Sequence, residues 1–292
     1  MQQNQLGKID LSSPKMQPMV RMLQSSIRKE VWKWTPGGGL QLRWEELSAG
    51  AEAPFSCVIL EPKESRGTCL FCHGGGMIFP LQVSSLRVAA YLAEQAQVSV
   101  WIPDYHLPPE ASFPKPVEEC LYAWRRMIRP DRPHFLYGES VGGALAVSLT
   151  LVLRDQGEKL PERLLLIDPV TDCETEKYPS AALDEKAAWT IKNNRYMWEL
   201  YLPDQSAVGL SYAVPMRESL RRFCPTYLET AEIDILRDEG EAFGKKLTEA
   251  GVPVEMHRMA GAWHSFDTEF DHPDVRQALE NRAAYIRNAI GG

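Results

Sequence analysis

The stretch HFLYGESVGGALAVSLTLVL, residues 134–153, decides the fold of this chain. It begins as a short apolar run of the kind that forms a buried strand and continues as an apolar run with helical spacing. Between the two stand Gly138, Ser140 and Gly142, which match the pattern G-x-S-x-G. A strand, a sharp turn and a helix around such a serine expose its hydroxyl on a strained backbone. The stretch therefore predicts that Ser140 is a nucleophile at the end of a buried strand.

The remainder of the chain alternates between strand-like and helix-like patterns. Apolar runs rich in β-forming residues occur at 56–62, 68–73, 98–105, 134–140, 164–170, 226–236 and 253–259. Helical spacing of apolar residues occurs at 84–97, 116–127 and 141–154. Strands that are apolar on consecutive positions are typical of burial on both faces. The sequence thus predicts an α/β fold with a mostly parallel sheet that is flanked by helices.

Two regions, 1–50 and 171–222, interrupt this alternation. The second is a long insertion after a predicted strand, and such an insertion is most often functional, typically as a lid. Its large side chains stand at helix-like spacing, at Trp189, Tyr196, Met197, Trp198, Tyr201 and Leu202. We expect most of them to pack the lid onto the core rather than to contact a substrate.

Charge and composition exclude several classes of function. The chain has 292 residues, 44% of them hydrophobic, and a formal net charge of -7. This charge argues against a nucleic-acid partner, because neutralising phosphates requires clustered Lys and Arg. The longest apolar stretch, 144–153, is too short to span a membrane. Six cysteines without a secretory signal are most simply free thiols. We therefore expect a cytoplasmic protein with no membrane span.

A serine nucleophile needs a general base, and the chain offers six histidines. His264 stands apart from the others because it lies in the segment GAWHSF after the last predicted strand. Parallel α/β sheets place their chemistry in loops beyond the carboxyl ends of strands. We therefore interpret His264 as the base.

The acid that orients this base should lie between the serine and the histidine in the chain. Asp234, at the end of the strand-like run 226–236, is our first choice. Asp168 ends an earlier strand and is the second choice. Asp238 and Glu239 are weaker candidates, because acids favour the first turn of a helix for electrostatic reasons alone.

The run HGGG at 73–76 follows a predicted strand and has several interpretations. With a serine nucleophile, it is best interpreted as one half of an oxyanion hole, since glycines allow backbone N–H groups to approach a developing negative charge. The donors would be the N–H groups of Gly75, Gly76 and Val141. A phosphate-binding loop of Walker type would need Gly-Lys-Ser/Thr where Met-Ile-Phe stands.

The pair Cys69 and Cys72 forms a C-x-x-C pattern within the same segment. A structural zinc site would need a second pair, which the sequence does not supply. Positions three apart in a strand point to opposite faces, so the two sulfur atoms should diverge. We predict no metal and no cofactor.

Four motifs occur in a fixed order: HGGG at 73–76, GESVGG at 138–143, DILRDEG at 234–240 and GAWH at 261–264. With DYHLPPEASFPKPVEE at 104–119, they resemble the hormone-sensitive lipase family of α/β-hydrolases. The resemblance implies an α/β-hydrolase fold with an eight-stranded sheet and a helical lid. It also implies a carboxylesterase that acts mainly on short- to medium-chain acyl esters.

The resemblance implies the same residue roles as the chemistry does: a triad of Ser140, Asp234 and His264, and oxyanion donors at Gly75, Gly76 and Val141. It implies a core at 51–170 and 223–292, a cap insertion at 171–222 and an N-terminal contribution to the cap at 1–50. The expected partner is a small-molecule ester, and a homodimer that pairs through the strand PVEMHRM at 253–259 is possible in such folds.

The sequence departs from the family pattern at four positions. Glu139 stands where aspartate is usual, and His106 stands in place of a usual arginine. Val141 replaces a usual alanine, and we expect its branched side chain to narrow the acyl pocket. Ser265 replaces a common glycine. None of these changes removes a catalytic atom, but each bears on which substrate fits.

Two alternatives to an esterase stay open on the sequence alone. Some relatives bind small molecules without turnover after losing a triad member, whereas all three members are present in this sequence. A peptidase or amidase on the same scaffold would be distinguished by faster turnover of amides than of esters.

Overall fold

One sheet of eight strands organises the computed structural model, which describes residues 9–48, 53–204 and 211–291. Its strands are β1 (Gln41–Leu47), β2 (Phe55–Glu61), β3 (Gly67–Cys72), β4 (Val98–Asp104), β5 (His134–Glu139), β6 (Arg163–Ile167), β7 (Thr226–Ile233) and β8 (Val254–Trp263). They lie in the order β1-β2-β4-β3-β5-β6-β7-β8. The first two pairings, of β1 with β2 and of β2 with β4, are antiparallel, and all later pairings are parallel. The predicted α/β-hydrolase fold is confirmed.

Helices cover both faces of this sheet. They are α1 (Gln17–Lys33), α2 (Val83–Ala96), α3 (Lys115–Met127), α4 (Val141–Asp155), α5 (Ile191–Tyr201), α6 (Arg237–Glu249) and α7 (Pro273–Ile290). Side chains of α2 and α7 form one hydrophobic cluster with the sheet, and those of α3, α4 and α6 form the cluster on its other face. Cys69 belongs to the first cluster and Cys72 to the second, so the two thiols face opposite sides as predicted.

The predicted strands and helices agree with these elements apart from β1. The three predicted helices match α2, α3 and α4, and the seven predicted strands match β2 to β8. The strand β1 was missed because its residues, QLRWEEL, are largely polar and only one of them is buried. An edge strand with a solvated face needs no apolar run. The predicted cap contribution at 1–50 therefore includes one strand of the core sheet.

At the opposite edge of the sheet lies β8, which pairs with β7 alone in the described sheet. This position leaves the run PVEMHRM at an edge, as the predicted homodimer requires, and the dimer itself stays a prediction. Within the described ranges, we find no helix with the length and apolar character needed to cross a membrane.

A buried ion network ties α7 to the sheet. The guanidinium of Arg282 donates to both carboxylate oxygens of Glu229 on β7, to Asp267 Oδ2 at 2.7 Å and to the Tyr137 hydroxyl at 2.9 Å. Tyr227 donates a further hydrogen bond of 2.8 Å to Glu229. Arg282 and Glu229 are fully buried. Because Asp267 lies shortly after β8, the network also holds the segment that follows His264.

We predict that Arg282→Ala destabilises the protein by roughly 3–5 kcal/mol, because it leaves the carboxylates of Glu229 and Asp267 buried without a cation. Denaturant unfolding followed by circular dichroism measures this change. Arg276→Ala on the same helix is the matched control, since Arg276 forms only an exposed ion pair with Asp271 and should change stability by less than about 1 kcal/mol. Equal losses in the two variants would contradict the structural role of the network.

Candidate active site

The turn between β5 and α4 holds Ser140 in a left-handed backbone conformation, with φ 53° and ψ -123°. Its N–H donates to the carbonyl of Ile167 at 2.9 Å. A Cβ atom at Gly138 would lie 2.4 Å from the carbonyl oxygen of Gly142, and one at Gly142 would lie 2.1 Å from that of Cys72. Both neighbours are backbone atoms that cannot move aside, so only glycine fits at these two positions.

The structure brings together the three residues of the predicted triad. The Ser140 hydroxyl donates to Nε2 of His264 at 2.9 Å, and Nδ1–H of His264 donates to Asp234 Oδ2 at 2.7 Å. The second oxygen of Asp234 accepts the N–H of Leu236 at 3.1 Å. This tautomer of the imidazole is the one that satisfies both contacts. Serine, base and acid thus form a continuous hydrogen-bonded relay at the carboxyl edge of the sheet.

The electrostatics of this relay favour a charged imidazole. Burial disfavours the imidazolium of His264, but the charge of Asp234, its hydrogen bond and the charges of neighbouring acids together outweigh burial and raise the pKa of His264 to about 9. The relay therefore favours an ion pair between a protonated His264 and Asp234.

Asp168, the second choice for the acid, lies beside the relay without a hydrogen bond to the imidazole. Its Oδ2 accepts the N–H of Ser265 at 3.1 Å. One carboxylate oxygen of Asp168, one of Asp234 and a ring nitrogen of His264 all lie within 4.8 Å of one another. Burial, and next the charge of Asp234, raise the pKa of Asp168 well above its ordinary value. The structure thus assigns the hydrogen bond with the base to Asp234 and places a second acid next to it.

The glycine loop after β3 approaches the same point. Gly75 and Gly76 have φ values of 123° and 60°, which side chains disfavour. Their N–H groups, and that of Val141 at the start of α4, donate to no acceptor in the described parts of the chain. The N–H of Gly74 is already engaged by Glu139 Oε1 at 3.1 Å. The predicted oxyanion donors are therefore available for a ligand.

A cavity of about 180 Å³ joins these groups. It is lined by Ser140, His264, the glycine loop and residues of two other segments, among them Leu11 and Trp189. The Trp189 ring lies with its centroid 6.4 Å from that of His264. Its indole N–H donates to Asn194 Oδ1 at 3.0 Å, which fixes the ring at the cavity wall. A small cavity thus faces the serine hydroxyl.

Glu139 also lines this cavity and connects the elbow to the glycine loop. Its Oε1 accepts hydrogen bonds from the N–H of Gly74 and from the Ser85 hydroxyl. Burial, and next the charge of Asp267, raise the pKa of Glu139 to about 7. The glutamate that departs from the family pattern thus holds the residue that precedes the predicted oxyanion donors.

Three other departures from the family pattern have structural explanations. The Val141 side chain is fully buried in the core cluster and does not line the cavity of about 180 Å³, so the expected narrowing of the acyl pocket is wrong for this cavity. Ser265 adopts φ 60°, which explains why glycine is common there. His106 bonds through Nδ1 to the buried Glu119 at 2.7 Å.

Sequence reasoning missed part of the cavity wall. Leu11 and Asn193 line it, and they are joined by a hydrogen bond of 3.1 Å from the Leu11 N–H to Asn193 Oδ1. Trp189 was expected, like most large side chains of the insertion, to pack the lid onto the core. No periodic or motif signal marks these residues, because their position depends on how two distant segments meet.

Comparisons with known proteins agree with this geometry. A family model described as alpha/beta hydrolase fold matches residues 69–268. An acetyl-hydrolase of Streptomyces hygroscopicus is 29% identical over 237 residues, which cover 78% of each chain. The crystal structure of EstE1, a thermophilic carboxylesterase from a metagenomic library, has a TM-score of 0.85 at 25% identity and covers 97% of this chain and 99% of its own. A thermostable esterase from Pseudomonas putida has the same fold, with a TM-score of 0.85, 23% identity and coverage of 99% and 97%.

The fold and the relay define the class of the α/β-hydrolases. The family match extends over more than half of the sequence, so the chain belongs to this family. Within it, the resemblance to hormone-sensitive lipase-like esterases is confirmed, and with it the prediction of a carboxylic ester hydrolase.

We predict that His264 titrates with a pKa of about 9, measured from the pH dependence of its ring proton resonances by NMR. In Asp234→Asn the pKa should fall, because burial is then opposed only by the charges of Asp168 and Asp267. His134 is the internal control, since burial and Lys159 lower its pKa and it should not respond to the substitution. A pKa of His264 at or below its ordinary value in the wild type would contradict the relay.

Proposed function

We propose that the protein is a serine carboxylesterase that cleaves short- to medium-chain acyl esters through an acyl-enzyme intermediate. The observation that carries this proposal is the relay from Ser140 Oγ to His264 Nε2, at 2.9 Å, and from His264 Nδ1 to Asp234 Oδ2, at 2.7 Å. Ester hydrolysis by a serine requires a nucleophile, a base and an orienting acid that are joined in this order by hydrogen bonds.

In the first step, His264 accepts the proton of Ser140 as the serine oxygen attacks the ester carbonyl. The carbonyl oxygen becomes negative, and the N–H groups of Gly75, Gly76 and Val141 stabilise it; losing one such donor typically costs about 10²–10³-fold in rate. His264 then passes the proton to the departing alcohol. Asp234 keeps the imidazole in its tautomer and stabilises its positive charge.

In the second step, water takes the place of the alcohol. His264 removes a proton from this water, which attacks the acyl carbon and forms a second tetrahedral intermediate. Its collapse releases the carboxylic acid, and His264 returns the proton to the Ser140 oxygen. The cycle consumes one water for each ester and leaves the protein unchanged.

The volume of the cavity supports substrates with short acyl chains within the proposed range of chain lengths. Its volume of about 180 Å³ is below the roughly 300–1,000 Å³ that is typical of sites for drug-sized ligands. The rings of Trp189 and Phe79 and the side chain of Leu11 contribute to its wall. An acetyl or butyryl group would be enclosed there, whereas a long chain would have to displace the wall.

We propose that the cap is built from the N-terminal segment and the insertion 171–222. Three contacts support this assignment: Leu11 N–H and the carbonyl of Ile9 bond to Asn193, and Gln17 Nε2 donates to the Tyr196 hydroxyl at 3.2 Å. An ion pair of 2.7 Å between Lys192 and Asp10 adds a fourth. The two segments thus hold each other over the cavity, and both supply residues to its wall.

We predict that p-nitrophenyl esters are hydrolysed with a kcat/KM that is highest between acetate and butyrate and declines for longer chains, because the cavity limits the acyl group. Ser140→Ala should lose about 10⁶-fold in kcat, whereas Ser219→Ala, at an exposed serine of the insertion, should resemble the wild type. Release of p-nitrophenolate measures both effects.

Three outcomes would contradict the proposal. Turnover by Ser140→Ala at the wild-type rate would remove Ser140 from the reaction. Binding of esters without turnover by the folded wild type would favour a non-catalytic binder, and faster turnover of matched p-nitroanilides would favour an amidase.

A further inference from the structure

A second buried acid stands next to the one that orients the base. Asp168 directly follows β6, and Asp234 directly follows the neighbouring strand β7. The N–H of Asp168 donates to the carbonyl of Glu229 on β7 at 2.8 Å, which fixes the register of the two strand ends. The carboxyl ends of adjacent parallel strands open onto one edge, so both acids reach the imidazole of His264. Asp168 is only 3% exposed.

The carboxyl group of Asp168 is only half satisfied. Its Oδ2 accepts the N–H of Ser265, the residue after the base, at 3.1 Å. Its Oδ1 is buried and has no hydrogen-bond partner in the described ranges. Leaving a buried acceptor unsatisfied costs free energy, and such an atom in a native structure requires an explanation. The carboxyl group has one oxygen within 4.8 Å of a ring nitrogen of His264 and of a carboxylate oxygen of Asp234, so the base lies close to it.

The backbone conformation of Asp168 also indicates a functional role. Its φ of 43° lies in the left-handed region, which is costly for residues other than glycine. Strained conformations of this kind persist where the surrounding structure enforces them, and they cluster at functional sites. At Asp168 the strained turn keeps a buried carboxyl group beside the base.

We propose that Asp168 is a second positioning acid for His264, which holds Ser265 through Oδ2 and supports the imidazole through its free Oδ1 when Asp234 carries no charge. This inference rests on the proposed function, because it requires His264 to act as the base. It adds to the triad a residue whose effect is exerted through His264 rather than on the substrate.

The charges around Asp168 explain how two acids can serve one base. Two carboxylates this close do not ionise equally, and the charge of Asp234 is one cause of the raised pKa of Asp168. Glu229 and Asp267 raise it further, and His264 lowers it. Arg282, from α7, pairs with Glu229 and Asp267 and so moderates their effect. Removing the charge of Asp234 removes the repulsion, and Asp168 then ionises more readily.

The test compares four forms of the full chain: wild type, Asp168→Asn, Asp234→Asn and the double variant. Asparagine suits Asp168 well, because its side-chain oxygen still accepts the N–H of Ser265 and it tolerates positive φ. The substitution therefore removes the charge and keeps the hydrogen bond. Should Asp168→Asn fail to fold, Asp168→Ser supplies a hydroxyl acceptor without a carboxylate. Asp172→Asn is the matched control, a buried acid in the same segment that pairs instead with Lys177.

We expect the losses in kcat of the two single variants to be non-additive. With a single orienting acid, replacing it by an amide costs about 10⁴-fold in kcat. If Asp168 can replace the charge of Asp234, the Asp234→Asn variant should lose no more than about 10²-fold in kcat on p-nitrophenyl acetate. The double variant should lose about 10⁴-fold in kcat. The KM should stay within about threefold throughout, since neither acid contacts the substrate.

A pH profile separates this role from a purely structural one. In Asp234→Asn, where Asp168 ionises more readily, its charge should hold the acidic limb of kcat/KM at a higher pH than in the double variant. Asp172→Asn should leave the limb in place. A structural defect would lower the amount of active enzyme at every pH without moving the limb.

The inference is overturned if Asp234→Asn alone loses about 10⁴-fold in kcat, with no further loss in the double variant and no difference between the acidic limbs of these two variants. Ser140→Ala, measured beside these variants, keeps the two failures distinct. If Ser140→Ala retains activity, the proposed function itself is wrong; if it is inactive while the two acids act independently, only the role of Asp168 is wrong.

Discussion

The whole site depends on the turn at Ser140, where the backbone has no room for a side chain on either side. Gly138 and Gly142 lie against carbonyl oxygens at distances that a Cβ atom cannot tolerate. These close approaches accompany the positive φ of Ser140, whose hydroxyl lies 2.9 Å from Nε2 of His264. The turn also places the N–H of Val141 at the start of α4, where the helix dipole favours an anion. Nucleophile and oxyanion donor are thus set by one steric constraint.

Around this turn the protein concentrates carboxylates that are buried or, in Glu139, half-buried, and few cations. Asp168, Asp234, Glu139 and Asp267 all lie close to the cavity or the relay. Their mutual repulsion is compensated by the guanidinium of Arg282 and, in the proposed mechanism, by the proton that His264 gains from Ser140. A group of acids that outnumbers its cations binds a proton readily, and proton uptake by the imidazole is the event that the first chemical step requires.

The motifs predicted which residues lie at the carboxyl edge of the sheet, because each motif describes a local backbone geometry. The strand–turn–helix at 134–153, the glycines at 73–76 and the acid and histidine after β7 and β8 are all fixed by steric rules within a few residues. The strand β1 was missed because its polar residues pair at an edge, where burial is slight. The wall formed by Leu11 and Asn193 depends on contacts between segments far apart in the chain. The sequence offered both Asp234 and Asp168, and only the packing of β6 against β7 shows that both face His264.

The most direct test of the central claim is a search for the acyl-enzyme itself. The folded wild type is mixed with excess p-nitrophenyl acetate, quenched in acid during steady turnover, digested, and examined by mass spectrometry. The proposed mechanism predicts that one acetyl group is attached to Ser140 in the wild type, and that no such adduct forms in Ser140→Ala. Continued turnover with no adduct, or with the acetyl group on another residue, would contradict a serine mechanism.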